Sequence, residues 1–282
     1  MYSLAWLTCV GLGDYIKKLV LDRGGDRDIF LLVSYIFYVP LFWINALFQG
    51  TLTYDYHTIQ AALFIGISNF GAPLWILTSL KYLNVSFAFV TIRIISSFAI
   101  LFIGLFILWD SLTLYNILWF LLGAFAIFLL SGFTFGQKLN LHPKGIIALC
   151  IAVVCIVFWN SYYKYMVDGV QIHDYVALQF SVSAMCIILY MIGRRKTSQI
   201  TLKEVQKVVP YSLITAWIFF LFFLYVLPNI YLLGPLSLGY KMISYSLIVP
   251  IILSIIFLWE SVNKTKIFAF WLTIISIFLF LI

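Results

Sequence analysis

Charged residues are scarce in this chain of 282 residues, because Asp, Glu, Lys and Arg together make up only 10% of it. A soluble domain carries about 25% charged residues and about 45–50% apolar ones. Here 64% of the residues are hydrophobic and the mean hydropathy is +1.09. No water-soluble core buries that much apolar surface, so the composition excludes a soluble globular protein and predicts one that lies in a lipid bilayer.

Groups that form metal, redox or catalytic sites are also few. The three histidines, His57, His142 and His173, are scattered near loops without the spacing of metal ligands. The four cysteines lie in apolar runs and form no Cys-x-x-Cys pair, so we interpret them as small core residues. The run from Asp22 to Asp28 alternates carboxylates with arginines that neutralise them, which disfavours a magnesium or diphosphate site. With no convergent carboxylates or His–Ser dyad, the sequence predicts no enzyme, no metal and no cofactor.

Long apolar runs fill most of the chain. A helix that crosses a bilayer needs about 20 mostly apolar residues, and on that template the sequence predicts about ten transmembrane helices. Their predicted ranges are 4–21, 29–48, 58–80, 85–108, 112–133, 145–167, 175–192, 208–231, 235–258 and 265–282. The polar linker 136–144 separates the first five from the last five. We therefore predict an all-α integral membrane protein with five-helix units at 1–135 and 144–282.

Two stretches of the sequence match each other and indicate a duplication. Residues 80–113 and 232–263 are long apolar runs with one embedded cation each, Arg93 and Lys241, and each ends in an aromatic–acid–serine turn. These turns are Trp109-Asp110-Ser111 and Trp259-Glu260-Ser261. Because a unit of five helices reverses the direction of the copy that follows it, we predict two inverted repeats. That architecture is common among transporters and places the site at the repeat interface.

The distribution of basic residues predicts the orientation in the membrane. Nearly all loop Lys and Arg fall in odd-numbered loops, and the opposite face has essentially only Lys164, so the odd loops are predicted to be cytoplasmic and both termini external. The basic residues of the odd loops are Arg23, Arg27, Lys81, Lys138, Lys144, Arg194, Arg195, Lys196, Lys203, Lys207, Lys264 and Lys266.

The cations within the apolar runs are the first candidate site residues. A charge within a transmembrane helix normally faces the bundle interior or a water-filled cavity and marks a substrate path. The alternative is that the long side chain reaches the headgroups from near a helix end. Matching positions in two inverted repeats favour the first interpretation. Arg93 and Lys241 are therefore predicted to face one cavity and bind an anionic group.

A second polar set recurs in the first and sixth predicted helices. Asp14 with Lys18 matches Asn160 with Lys164, since both pairs are four residues apart and thus share a helix face. One interpretation is a structural ion pair between Asp14 and Lys18. The other is a polar gate or a coupling site, because Asp14 is nearly the only acid well inside a predicted span.

Aromatic residues make up 19% of the chain, and most of them are expected to be core or lipid-facing. Some lie in mid-span with polar groups and are candidates to line a substrate cavity. These candidates are Asn69, Trp75, Trp159, Tyr163, Trp217, Tyr240 and Tyr245.

With these motifs, the chain resembles the EamA-like branch of the drug/metabolite transporter superfamily. The resemblance is carried by Leu80-Lys-Tyr-Leu-Asn-Val-Ser86, Leu233-Gly-Pro-Leu-Ser237 and the two closing turns, 108–113 and 258–263. The family usually has a Gly-Glu pair at this turn, whereas this chain keeps the acid and has Trp in place of the glycine.

The resemblance implies alternating access around a central cavity lined by both repeats, and phosphate-carrying members often have a basic residue in the fourth and ninth helices. We expect a multi-pass secondary transporter of a bacterial inner or archaeal plasma membrane that moves a small polar, anionic metabolite. Its expected partners are lipid and a coupling proton or counter-substrate, without nucleic acid, in a monomer or homodimer. The alternatives are an amino-acid or drug exporter with an aromatic cavity and a lipid-linked sugar flippase.

Overall fold

The computed structural model describes residues 2–83, 85–109, 114–130, 142–166, 172–196 and 200–226, with single positions at 249, 267–269, 271, 272 and 275. Within these ranges the chain forms eight α-helices and a terminal π-helical turn, and contains no strand. The helices are α1 (Tyr2–Asp22), α2 (Arg27–Gln49), α3 (Tyr56–Ser79), α4 (Val85–Phe106), α5 (Leu114–Leu130), α6 (Pro143–Met166), α7 (Ile172–Gly193) and α8 (Leu202–Leu221), and the π-turn is Phe222–Val226.

The all-helical prediction is confirmed for the described residues, and six helices are long and apolar enough to cross a membrane. Their outward faces are apolar as well, with Phe48 85% exposed and Val154 66% exposed. Such a surface is unsuited to water and suited to lipid. The ninth and tenth predicted spans lie outside the described ranges but for the single positions, so the ten-helix count and the repeat stay predictions.

Side-chain caps explain where several helices begin. The Asp26 side chain caps α2 by accepting hydrogen bonds from the backbone N–H groups of Asp28 and Ile29. The Asp55 side chain caps α3 by accepting one from the backbone N–H of Thr58. Thr201 and Glu204 form a reciprocal capping box, so α8 begins at Leu202 and not at the predicted residue 208.

Small residues allow α3 to pack closely between α6 and α7. A Cβ atom on Gly66 would lie 2.7 Å from Val182 of α7, and one on Gly71 would lie 2.9 Å from the Cys155 sulfur of α6. Ser183 of α7 donates a hydrogen bond of 2.8 Å to the Gly66 carbonyl. Close backbone approach through small residues is the usual way in which helices associate in lipid.

Helices α2 and α7 pack side by side and run in opposite directions. Arg27 at the start of α2 contacts Tyr190 near the end of α7, and Asn45 near the end of α2 contacts His173 at the start of α7. Around this pair, α2 also packs on α8, α1 packs on α8, and α4 packs on α6. The helices thereby surround an interior space that α1, α2, α3, α4, α6, α7 and α8 all reach.

Candidate functional site

An interior cavity lies between these helices, and its wall is mainly apolar. Three charged residues reach it, Asp14 and Lys17 from α1 and Arg93 from α4. Its volume is ≈ 100 Å³. Small-molecule sites typically combine apolar walls with a few convergent polar groups, as this cavity does. The cavity is therefore the best candidate site in the described part of the chain.

The three charges form one connected cluster. An Arg93 Nη2 atom donates to Asp14 Oδ2 at 2.6 Å, and Lys17 Nζ donates to Asp14 Oδ1 at 3.0 Å. All three residues are buried, with exposed fractions of 2% for Asp14, 8% for Arg93 and 9% for Lys17. One carboxylate thus bridges two cations from different helices, and it fixes α1 against α4.

In the described part of the chain, two cations, Lys17 and Arg93, contact the one carboxylate of Asp14. Charged groups inside an apolar wall cost free energy unless they are paired, so they are rarely placed there without a role. Arg93 can supply donors in a planar fork and Lys17 a compact positive charge, which are the two kinds of cationic group that bind anions.

Aromatic rings form the wall beside the cluster. The Lys17 ammonium lies 5.5 Å from the centre of the Phe219 ring, a cation–π distance. Phe219 in turn packs edge-on against Tyr38 at 6.0 Å, and Tyr38 lies 4.9 Å from Phe180. Phe222 opens the π-turn after α8 and also lines the cavity. Single π-turns within helices frequently occur at functional sites.

Four of the predicted site residues line this cavity: Asp14, Asn69, Arg93 and Trp159. Arg93 faces the interior, so the alternative in which it reaches the headgroups does not describe this structure. The Trp159 indole N–H is buried and has no hydrogen-bond partner in the described part of the chain. It is a donor available to a ligand in the cavity. Whether any of the four contacts a substrate stays a prediction.

Of the two interpretations of Asp14 and Lys18, the ion pair between these two residues is not what the structure shows. Asp14 pairs with Lys17, one turn away at three residues' separation, and with Arg93. Lys18 is half-buried and outside the cavity wall. Asn160 is fully buried and donates to the Ile156 carbonyl at 2.7 Å, within its own helix.

Other predicted residues lie away from the described cavity wall. Trp217 is 53% exposed and points outward, because it lies on the lipid-facing side of α8. Tyr163 is buried against Tyr175, with ring centres 5.9 Å apart, and Trp75 packs on the core. Lys164 is half-buried in the last turn of α6. Three further predicted residues, Tyr240, Lys241 and Tyr245, lie outside the described residues.

Two carboxylates of the 22–28 segment, Asp26 and Asp28, lie close to cations. Asp28 contacts Arg27 and Lys196, and Asp26 lies 3.7 Å from Lys196. Among the described residues, no group of three or more His, Cys, Asp or Glu could hold a metal ion. The contact between Arg27 and Asp28 is the predicted neutralisation of an acid by a neighbouring arginine, and Lys196 is an additional partner.

Lys17 is the site residue that the sequence reasoning missed. The cavity also recruits polar and aromatic residues that carried no distinguishing pattern: Ser34, Tyr35, Tyr38, Phe180, Thr215, Phe219 and Phe222. The sequence did carry a signal for Lys17, because Asp14 lies three residues before it and residues three or four apart share a helix face.

No family model matches this chain, and no curated protein matches it. Comparison of folds does find similarity, with 29 matching chains among solved structures. One crystal structure of a protein superimposes with a TM-score of 0.72 at 14% sequence identity, over 99% of this chain and 95% of the other chain. At that identity the similarity establishes a shared fold and no function.

Proposed function

We propose that this chain is a secondary transporter that moves a small polar metabolite with an anionic group across a membrane by alternating access. The observation that carries the proposal is the buried cluster in which Lys17 and Arg93 share the single carboxylate of Asp14. Charged residues inside membrane helices are costly and mark substrate or ion paths. Two cationic side chains that reach one cavity favour an anion as the cargo.

The pairing of helices supports the two inverted repeats that alternating access requires. If the two halves are repeats, α1, α2 and α3 correspond to α6, α7 and α8. The α2–α8 contact then corresponds to the α7–α3 contact, and the α3–α6 contact corresponds to the α8–α1 contact. All four contacts occur, and the α2–α7 contact corresponds to itself. A pseudo-two-fold axis between the halves accounts for this set of contacts.

We propose the EamA-like branch of the drug/metabolite transporters as the family, on the closing turns and the helix pattern described above. The proposed location is a cell membrane, with the basic odd-numbered loops in the cytoplasm. In this proposal Arg93 and Lys241 bind the anionic group, and Lys17 contributes charge beside Arg93. Asp14 is the proposed coupling carboxylate.

The wall of the cavity narrows the class of substrate. Most residues around the charged cluster are apolar or aromatic, including Tyr38, Phe180 and Phe219. Among small polar metabolites with an anionic group, one that fits would carry its charge at one end, an apolar or aromatic group at the other, and an acceptor for the Trp159 N–H. A heavily hydroxylated sugar phosphate would leave most of its polar groups unpaired against this wall.

A second candidate is an exporter of amino acids or drug-like compounds. The same aromatic wall favours it, and a cluster with both signs of charge can accept a zwitterion. In this case Asp14 would contact the ammonium group and Arg93 the carboxylate.

A thermal-unfolding screen separates the two candidates. Purified protein is heated with simple carboxylates, with phosphates and with aromatic zwitterions, since a ligand that binds the folded state raises its melting temperature. We expect apolar carboxylates to stabilise the protein most, by about 2.7 kcal/mol at a hundredfold excess over Kd.

The matched control is the same screen on the Arg93→Gln variant, in which stabilisation by carboxylates should be largely lost. Stabilisation by aromatic zwitterions alone would favour the exporter. Absence of stabilisation by any anion in the wild-type protein would contradict the anion carrier.

A further inference from the structure

Two buried carboxylates occupy matching places on the antiparallel helices α2 and α7. Asp28 lies in the first turn of α2 and Asp174 in the first turn of α7, and both are fully buried. They are 146 residues apart (174 − 28), the same interval that separates Asp14 from Asn160 (160 − 14). Because the helices are antiparallel, the two carboxylates lie at opposite ends of the pair. A helix of 23 residues is about 34 Å long, enough to cross a bilayer.

The first carboxylate ties the start of α2 to the end of α7. Asp28 Oδ2 accepts a hydrogen bond of 2.5 Å from the Lys196 ammonium, and Lys196 lies three residues beyond the last residue of α7. Asp28 Oδ1 accepts from Arg27 Nε at 2.5 Å, and Arg27 donates to the Tyr190 hydroxyl of α7 at 2.9 Å. Arg27 also donates to Thr78 near the end of α3. We call this set of contacts the Asp28 latch.

Lys196 keeps its positive charge in this position. Burial lowers the pKa of the Lys196 ammonium, but its hydrogen bond to Asp28 and the charge of that carboxylate raise the pKa more. The pKa therefore lies above its ordinary value, and the Asp28 latch holds a full ion pair at neutral pH.

The second carboxylate ties the start of α7 to the end of α2. Asp174 Oδ2 accepts from the Thr51 backbone N–H at 3.1 Å and from the Thr51 hydroxyl at 2.9 Å, and Thr51 lies two residues beyond α2. The carboxylate fits against Gly50, where a Cβ atom would lie only 2.0 Å from Asp174 Oδ1. Asn45 and His173 add a contact of 2.8 Å between the same two helix ends. We call this set the Asp174 latch.

Each latch therefore joins the start of one helix to the chain just after the other. Opening the interior at either end requires separation of the α2 and α7 ends there, and this separation breaks the latch at that end. The opposite latch can remain intact, because it lies about one membrane thickness away. In alternating access, the interior must be able to open at one membrane face while it stays closed at the other, and two separate latches allow this.

The two latches differ in strength. The Asp28 latch joins charged partners, whereas the Asp174 latch uses neutral donors from Thr51. Two opposite charges in contact add a Coulomb attraction to the hydrogen bond that a neutral donor does not provide. The Asp174 end is therefore the easier one to open.

We propose that Asp28 and Asp174 are the two gate residues of the transport cycle, each holding one membrane face closed while the other face opens. This inference rests on the proposed transport function and adds residues outside the cavity to it. The structural alternative is that both carboxylates only cap and fasten helix ends, in which case no state of the molecule would break them.

The test is the accessibility of the cavity from each face. The four native cysteines are replaced by alanine, and one reporter thiol is placed in the cavity wall as Ser34→Cys. Vesicles of both orientations are treated with a membrane-impermeant thiol reagent, and labelling rates are compared for Asp28→Asn and Asp174→Asn. We expect each variant to raise the labelling rate about tenfold from the face of its own latch, the factor that corresponds to about 1.4 kcal/mol. The rate from the other face should not rise.

Matched controls are available at each face. Asp55→Asn removes a carboxylate that caps α3 next to Thr51 and makes its hydrogen bond within its own helix end. Glu204→Gln removes the capping carboxylate of α8 close to Lys196 in the chain. Both controls should label at the parent rate. If an Asp variant fails to fold, Lys196→Gln removes the charge of the donor to Asp28, and Thr51→Val removes the hydroxyl that donates to Asp174. Each should give a face-specific increase in the same direction.

Equal labelling from both faces, or parent rates in folded variants, would overturn the gate assignment. The labelling assay does not need a known substrate, so it is readable even if anion transport is never detected. Face-specific labelling without anion transport would sustain the gates and refute the proposed cargo. Anion transport together with unchanged labelling in the variants would support the proposed cargo and refute the gates.

Discussion

Replacing Asp14 with asparagine is expected to reduce the free energy of unfolding by about 3–5 kcal/mol, the usual cost of removing one partner from a buried ion pair. The substitution removes the carboxylate that both Lys17 and Arg93 contact in the cavity wall. The measurement is reversible unfolding in mixed detergent micelles, with wild-type protein alongside.

Two comparisons isolate the cause of that loss. Asp22→Asn removes an exposed acid from the same helix and should leave stability unchanged. The double variant Asp14→Asn with Arg93→Gln removes one of the two cations that repel each other once the carboxylate is gone, so it should be more stable than Asp14→Asn alone. Wild-type stability of the single variant would mean that the cluster does not hold α1 against α4.

Replacing Arg93 or Lys241 with alanine is expected to abolish measurable uptake of an anionic substrate into proteoliposomes while the protein stays folded. Loss of a hydrogen bond to a charged group costs about 1.5–3 kcal/mol, which corresponds to a loss of affinity of about 10- to 150-fold. Arg93→Ala leaves Asp14 paired with Lys17, so this variant should lose less stability than Asp14→Asn and stay folded.

Lys81→Gln provides the control for loss of a positive charge, because Lys81 is exposed beyond the end of α3. Its uptake should match that of the wild type. Wild-type rates in both alanine variants would remove Arg93 and Lys241 from the site. Loss of uptake in Arg93→Ala alone would restrict the anion site to the first half of the chain.

The helices were predictable because backbone physics in lipid leaves little choice. Inside a bilayer every backbone N–H and C=O must be paired within the protein, so a long apolar run becomes a helix. The range 85–108 predicted for the fourth span and the observed Val85–Phe106 agree for this reason. The start of α8 was missed because Thr201 and Glu204 extend the helix through a polar stretch.

The charged cluster was predictable only in part. A single cation within an apolar run must find a partner or a cavity, which identified Arg93 and pointed to Asp14 as a candidate. Neighbouring residues on a helix differ by about 100° in direction, so Lys17 and Lys18 face different surroundings. Which of them reaches Asp14 depends on the rotation of α1 against α4 and α8, and that rotation is set by packing.

Aromatic residues were the least predictable part. Trp159 lines the cavity and Trp217 faces outward, although both lie in apolar helical runs. Lipid accepts an aromatic ring as readily as a protein core does, so composition alone does not distinguish the two sides.

The Asp28 latch could not be predicted from the sequence for another reason. Lys196 lies 168 residues along the chain from Asp28, so no local spacing indicates the contact.

A calorimetric titration with a matched pair of ligands tests the central claim that the cavity binds an anion. The pair is an apolar carboxylate and its uncharged primary amide, which have nearly the same shape and differ in charge. The account predicts that the carboxylate binds the wild-type protein about 10- to 100-fold more tightly than the amide, and that Arg93→Gln removes most of this difference. Equal affinity of the wild-type protein for the two ligands would contradict it.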